Sequence, residues 1–281
     1  MSQTQIIVRT ALALLAFAGN SLLCRLALKN TSIDAASFTS VRMLSAAVVL
    51  GVILLVTRKS RPQLGDWPSA AALFAYAAAF SLAYINLAAG TGALLLFGSV
   101  QMTMIGVGLV RGERLNAIQL TGLAMALGGL VGLVLPGLSA PPVVSAAFMI
   151  GAGIAWGIYS LRGRGAVDPL AVTAGNFFRT LPMTAVFSLF MFNNAKWDMA
   201  GIGYATASGA ITSGIGYAIW YSVLPNLKAA QAASLQLSVP VIAAVAAIVL
   251  LGEQPSLRLV LASVAILFGI GLVIYQRRKT T

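Results

Sequence analysis

An all-α integral membrane bundle is the fold class this sequence predicts: ten transmembrane helices arranged as two inverted five-helix repeats, residues 1–137 and 138–281 of one domain. Three observations lead there. Hydrophobic residues make up 59% of the chain and charged residues 9%, with a mean hydropathy of +0.92; soluble domains carry about 25% charge, so a water-exposed surface could not be covered. Ten apolar runs approach the roughly 20 residues that cross about 30 Å of hydrocarbon as a helix, and they lack the period-two alternation of membrane barrel strands. Two stretches of the first half also recur in the second. "AFAGNSLLCR" (16–25) returns as "AWGIYSLRGR" (155–164), 139 residues on, and "GERLNAIQLTGLAMALGGLVGLV" (112–134) returns as "GEQPSLRLVLASVAILFGIGLVI" (252–274), 140 residues on. Five helices per half is an odd number, so the second copy enters the membrane from the opposite side.

The first run, 5–28, follows Arg9 and holds the only cysteine, Cys24. Leu23 stands where a lipoprotein cleavage site wants a small residue, so the run reads as a retained helix and not a leader. Phe17 and Asn20 lie three apart and share a face. The second run, 33–56, carries Arg42 nine residues in, and the seventh, 168–191, carries Arg179 eleven residues in. At about 1.5 Å per residue both reach the middle third of the bilayer, where arginine costs about 2.5–3.5 kcal/mol on insertion scales. Either arginine meets a substrate carboxylate, or it snorkels to a helix end.

The third run, 66–88, places Tyr76, Phe80 and Tyr84 on one stripe, a spacing that packing alone accounts for; Trp67 at its start suits an interfacial anchor. The fourth, 91–110, contains Gln101 and ends at Gly112–Glu113. The fifth (115–135) and tenth (256–276) are rich in small residues and form possible dimer faces, so the chain reads as a monomer or a homodimer. In the sixth, 140–161, Trp156 and Tyr159 repeat the spacing of Phe17 and Asn20. The eighth, 200–224, has Gly209, Gly214 and Gly216 for close helix approach, then Tyr217, Trp220 and Tyr221. The ninth, 227–251, has Gln236 four residues before Pro240, whose ring denies the Gln236 carbonyl its helical bond and makes a kink, and with it a hinge, at this point. Pro182 gives the seventh run a curve.

Twelve of the 18 Lys and Arg residues fall at one side of the predicted bundle: Arg9, Arg58, Lys59, Arg61, Arg111, Arg114, Arg162, Arg164, Lys228, Arg277, Arg278 and Lys279. Arg25, Lys29, Lys196 and Arg258 fall at the other. The positive-inside bias puts both termini in the cytoplasm, and orientation, not nucleic-acid binding, explains the net charge of +12.

Histidine is absent, and the six carboxylates, Asp34, Asp66, Glu113, Asp168, Asp198 and Glu253, fall in loops or at helix ends. A zinc centre, a Ser-His dyad or an intramembrane aspartyl pair cannot be built from the helix interiors, so no enzyme, metal or cofactor is expected. Proton relays within membranes also use Asp, Glu or His; the expectation is a gradient-driven carrier without obligatory proton coupling. Polar and aromatic residues inside the runs remain: Phe17, Asn20, Tyr84, Gln101, Trp156, Tyr159, Tyr217 and Gln236. A buried amide or hydroxyl needs a partner, either on a neighbouring helix or in a cavity.

With halves of five helices, the small-aromatic-small "AFAGNS" of the first run and Gly-Glu closing the fourth and ninth, the chain resembles the EamA-type exporters of the drug/metabolite transporter superfamily. Where that family has proline late in both the fourth and ninth helices, this sequence keeps Pro240 but has "SVQM" (99–102) in the first half. The resemblance implies a multi-pass carrier of a bacterial inner membrane that exports amino acids, aromatic or other large amphipathic ones, and similar metabolites by alternating access. An exporter of organic cations or multiple drugs is the alternative within the fold. A channel would need a continuous polar lining, and a membrane scaffold would need no polar groups at the midplane.

Overall fold

The computed structural model describes residues 1–57, 65–137, 140–227 and 229–277. Arg58, Lys59, Arg61, Lys228, Arg278 and Lys279, part of the predicted basic side, lie outside the described residues. The elements are α1 (Gln3–Asn30), α2 (Ala35–Thr57), α3 (Trp67–Tyr84), α4 (Ala89–Val110), α5 (Ala117–Val134), α6 (Val143–Arg162), α7 (Pro169–Phe190), α8 (Met199–Ala207), a π-helical segment (Ser208–Ile215), α9 (Gly216–Val223), α10 (Ala229–Gln236), α11 (Ser238–Leu251) and α12 (Leu257–Arg277), with single 3-10 turns at Phe192–Asn194 and Leu224–Asn226. Among the described residues there is no strand.

Local chemistry starts and stops these helices. Ser2 and Gln5, and Asn116 and Gln119, form capping boxes on α1 and α5, satisfying N–H groups that a helix start leaves open. Asp66 caps α3 and Asp168 caps α7, each with proline in the first turn. Asp198 caps α8, and the Gly201 N–H holds its carboxyl below the usual carboxylate range. The repeated Gly-Glu has a backbone cause: Gly112 has φ 89° after α4 and Gly252 φ 63° after α11, the left-handed conformation that ends a helix without a Cβ penalty.

Seven helices among the described residues are long and apolar enough to cross a membrane: Gln3–Asn30, Ala35–Thr57, Ala89–Val110, Ala117–Val134, Val143–Arg162, Gln231–Leu251 and Leu257–Ile274. The third, seventh and eighth predicted runs are helical but fall short of that measure. Their polar residues are turned inward: Ser69, Tyr76 and Ser81 on α3, Thr173, Asn176, Thr180 and Thr184 on α7, and Ser208, Thr212 and Ser213 in the π segment are all buried. The eighth run is further divided by the π geometry, and the ninth breaks at Leu237, between α10 and α11. Pro240 explains that break: it sits in the first turn of α11, where its missing N–H costs nothing, and the Gln236 carbonyl it cannot bond marks the end of α10.

Close packing uses glycine where backbones meet. A Cβ on Gly209 would run into Ser45 and the Arg42 carbonyl, one on Gly214 would stand 2.9 Å from Val49, and one on Gly216 2.9 Å from Ala16; these three glycines seat the π segment and α9 against α2 and α1. Similarly, the small residues of α5 and α12 meet each other within the chain, since Gly122 faces the Gly269 carbonyl and Gly129 faces Ile266 and Ala265. The small residues that suggested dimer faces are thus used within the chain. What α5 and α12 leave exposed is large and apolar, including Leu120, Val131, Leu261, Val264 and Phe268.

The Gly122 contact gives a test. Alanine at position 122, whose Cβ would lie 2.5 Å from the Gly269 carbonyl oxygen, is expected to lower stability in detergent by about 1–3 kcal/mol, the usual cost of overpacking. Alanine at Gly128, where nothing lies within 4 Å, is expected to leave the thermal midpoint unchanged or raise it slightly.

Candidate functional site

Helix α2 carries Arg42 into the interior, where the residue is 2% exposed. Its Nη2 donates to the Tyr76 hydroxyl at 3.0 Å, and its guanidinium carbon lies 5.3 Å and 5.1 Å from the ring centroids of Tyr76 and Phe80. Spacing explains the pair of rings, because Tyr76 and Phe80 are one turn apart on α3 and present one face. Cation–π contact contributes about 0.5–2 kcal/mol per ring, but Nε and Nη1 of Arg42 are buried with no hydrogen-bond partner. The ion pairs among the described residues, Arg25–Glu253 and Arg162–Asp66, involve other arginines.

A polar chain extends from Tyr76 across the bundle. Asn20 Nδ2 donates to the Tyr76 hydroxyl at 3.2 Å, while Asn20 Oδ1 accepts from Ser208 at 2.7 Å and has the Thr212 hydroxyl at 3.4 Å. Four elements, α2, α3, α1 and the π segment, are thus tied through two side chains. Ser208 and Thr212 lie four apart and share a face, within the π segment; such segments often mark functional positions.

Beside Arg42 lies a narrow, partly open cavity of about 30 Å³, room for a water or two. Phe17, Asn20, Ser21, Arg42 and Tyr76 line it from α1, α2 and α3. Leu96, Phe97, Val100 and Trp156 line it from α4 and α6, and Thr212, Ser213, Tyr217 and Gln236 complete it. Its wall is aromatic: Trp156 stacks on Tyr217 (5.6 Å, 22°), Tyr76 meets Trp156 edge-on (4.4 Å, 76°) and Phe17 tilts against Tyr217 (5.6 Å, 58°). The Tyr217 hydroxyl is buried without a partner.

Phe17, Asn20, Arg42, Trp156, Tyr217 and Gln236 of the sequence candidates therefore come together. Tyr84, Gln101, Tyr159 and Arg179 do not. Tyr84 lies two turns past Tyr76 and donates to the Ala89 carbonyl at 3.2 Å, fastening the α3–α4 turn. Gln101 is buried one turn beyond Phe97 on α4, outside the lining. Tyr159 donates to Thr173 at 3.3 Å, and Thr173 to the Tyr221 hydroxyl at 3.1 Å, so it links α6, α7 and α9 behind Trp156. Arg179 returns toward the start of its helix: Nη1 donates to the Gly175 carbonyl at 3.2 Å, and the guanidinium lies 5.9 Å from the ring of Trp67, itself 56% exposed. The sequence analysis missed Ser21, Ser208, Thr212 and Ser213, small hydroxyls with no spacing signal, and Tyr76, assigned to packing, whose signal was a hydroxyl near the middle of an apolar run, opposite an arginine at a similar depth.

Opposite ends of the bundle are held differently. At one, Glu253 accepts from the Ala89 N–H at 2.9 and 3.1 Å and pairs with Arg25 at 3.7 Å, and Arg25 Nη1 donates to the carbonyls of Tyr84 and Ile85. Those two side chains are only 12% and 13% exposed. At the other, Arg162 meets Asp66 at 2.8 Å with both side chains near half exposure, 43% and 50%. The Arg25 end is the tighter seal.

A model of the EamA-like transporter family matches residues 144–275, and the Pseudomonas aeruginosa protein named "Uncharacterized protein PA1977" is 55% identical over 278 residues, 99% of this chain and 97% of that one. The chain carries an EamA-like transporter family domain. Another relative of this EamA-like chain, in Streptantibioticus cattleyicolor, is named "Probable terminal-alkyne amino-acid exporter" and is 28% identical over 257 residues, 85% of this chain and 82% of that one. A solved crystal structure superposes with a TM-score of 0.67 at 20% identity, covering 96% of this chain and 98% of its own, and so shares the fold.

The Arg25–Glu253 contact of the EamA-like bundle can be measured by a double-mutant cycle. Arg25→Gln and Glu253→Gln are each expected to destabilise the purified protein, with a coupling of about 0.5–3 kcal/mol in thermal unfolding, larger than the same cycle gives for the exposed Arg162 and Asp66.

Proposed function

We propose that the chain is a secondary carrier that exports amino acids, aromatic or other large amphipathic ones, and similar metabolites across a bacterial inner membrane. The observation that carries this reading is Arg42: a buried guanidinium with Nε and Nη1 unpartnered, beside an aromatic cavity. A carboxylate fits those donors in the forked geometry arginine favours, and the rings of Trp156, Tyr217 and Phe17 take an apolar side chain. The relative named as an amino-acid exporter supports the same class. An organic-cation exporter is disfavoured because the lining holds a cation and no carboxylate, and a channel because the lining is largely apolar and ion pairs tie both ends.

Alternating access follows from ten spans in two inverted halves, an arrangement in which the site lies between the repeats. The recurring stretches and the matched Gly112 and Gly252 turns support it, and the break before Pro240 supplies the hinge. With both termini cytoplasmic, the Arg25 end faces outward and the closed seal there describes a cytoplasm-facing carrier. The lining holds no Asp or Glu and the chain no His, so transport proceeds down the substrate gradient.

Counterflow in proteoliposomes tests the reading. Labelled phenylalanine is expected to enter saturably and to be accelerated by unlabelled substrate on the other side; flux without trans-stimulation indicates a channel, and no flux a scaffold. A pH gradient with the membrane potential clamped is expected to drive no accumulation. Arg42→Lys keeps the charge but loses the fork, and a drop in transport of roughly tenfold or more is expected, the equivalent of one charge-assisted hydrogen bond. Pro240→Ala is expected to slow turnover more than it weakens half-saturation, and equal turnover sinks the hinge.

A further inference from the structure

The cavity is asymmetric in charge and in hydrogen bonding. Arg42 is the only ionisable cation or carboxylate in its lining, and the ion pairs among the described residues that engage Asp66 and Glu253 sit at the bundle ends. The donors left open are Nε and Nη1 of Arg42 and the Tyr217 hydroxyl. Tyr76 adds another: its oxygen already accepts from both Arg42 and Asn20, which fills a phenol's acceptor sites and leaves its proton to donate. Asn20 Oδ1 accepts from Ser208 at 2.7 Å, while the single proton of Thr212 goes to the Ser208 carbonyl at 2.6 Å, so this amide oxygen is a neutral acceptor only partly filled. A carboxylate finds several donors here, whereas an ammonium finds a like charge and a few neutral oxygens.

Net charge decides between substrates. A zwitterion leaves the loaded cavity at +1, an amine raises it to +2, and only a monoanion brings it to zero. Uncompensated charge is strongly disfavoured away from water.

We propose that the cavity takes its substrate as a net monoanion: an amphipathic organic acid whose α-nitrogen is absent or acylated binds in preference to the free amino acid, and the corresponding amine is rejected. This refines the carrier reading above and rests on it. Transport of free amino acids is then the weaker activity of a site built for their uncharged-nitrogen derivatives.

Four probes that share one ring separate the charges: 3-phenylpropionate, N-acetyl-L-phenylalanine, L-phenylalanine and 2-phenylethylamine, titrated by calorimetry into the purified full-length protein. Both anions are expected to bind at least tenfold more tightly than phenylalanine, with no binding of the amine at the same concentrations. Arg42→Lys, which keeps the charge, is expected to weaken all binding but retain the order; Arg42→Gln, which removes a buried charge and so is not expected to unfold the protein, is expected to abolish the order. Phenylalanine binding as tightly as the anions, or competition by the amine, overturns the proposal while saturable phenylalanine counterflow leaves the carrier reading standing. If none of the four binds, the proposal fails, and counterflow decides the carrier reading separately.

Discussion

Arg42 holds a permanent charge in the middle of a bundle with few groups able to answer it, and the surrounding architecture follows from the partial answer it receives. One N–H bond goes to Tyr76, and two ring faces cover the guanidinium. Satisfying Tyr76 draws in Asn20, and Asn20 draws in Ser208 and Thr212. Each link crosses to a different helix, so the position of α1 relative to the π segment is fixed by the same network that fixes α2 against α3. Low dielectric strengthens such a chain and raises the cost of leaving any member unmatched. The two donors of Arg42 without partners are therefore the point of highest unmet demand in the cavity wall.

Around this polar centre the helices pack by a membrane logic. Lipid offers no hydrophobic drive for helices to associate, so contact depends on close van der Waals fit and on small residues. Gly209 against α2 and Gly122 against Gly269 are places where backbones come as near as they can. Large apolar side chains go outward instead, as Leu55, Val110 and Leu261 show. The helices that fall short of a simple apolar span are those whose hydroxyls and amides turn into the bundle, which is why hydropathy and function pull in opposite directions along α3, α7 and the π segment.

Sequence patterning made the helices legible because backbone groups in lipid must be satisfied within the segment, and long apolar runs leave few other solutions. The Gly-Glu recurrence was legible for a similar reason, since a left-handed C-cap wants glycine in any helix. Phe17, Asn20 and Trp156 were found through the recurring stretch, and Arg42 through its cost. Depth and azimuth were harder. Tyr76 and Tyr84 share a stripe, yet two turns separate a cavity wall from a turn fastener, and periodicity gives no origin along the helix axis. Gln101 shares the stripe of Phe97 but lies a turn too far. The π segment was invisible, because a wider turn leaves composition unchanged.

The cation that organises the finished bundle also bears on how the bundle is made. A helix released alone into lipid with arginine near its centre is disfavoured by about 2.5–3.5 kcal/mol on insertion scales, and α2 is such a helix. The ring faces and the hydroxyl that shelter Arg42 belong to α3, which leaves the ribosome after α2. The apolar length of α2 outweighs that cost, since Ala35–Thr57 is apolar enough to cross by itself, and the α2–α3 contact offsets in the bundle what Arg42 costs in lipid.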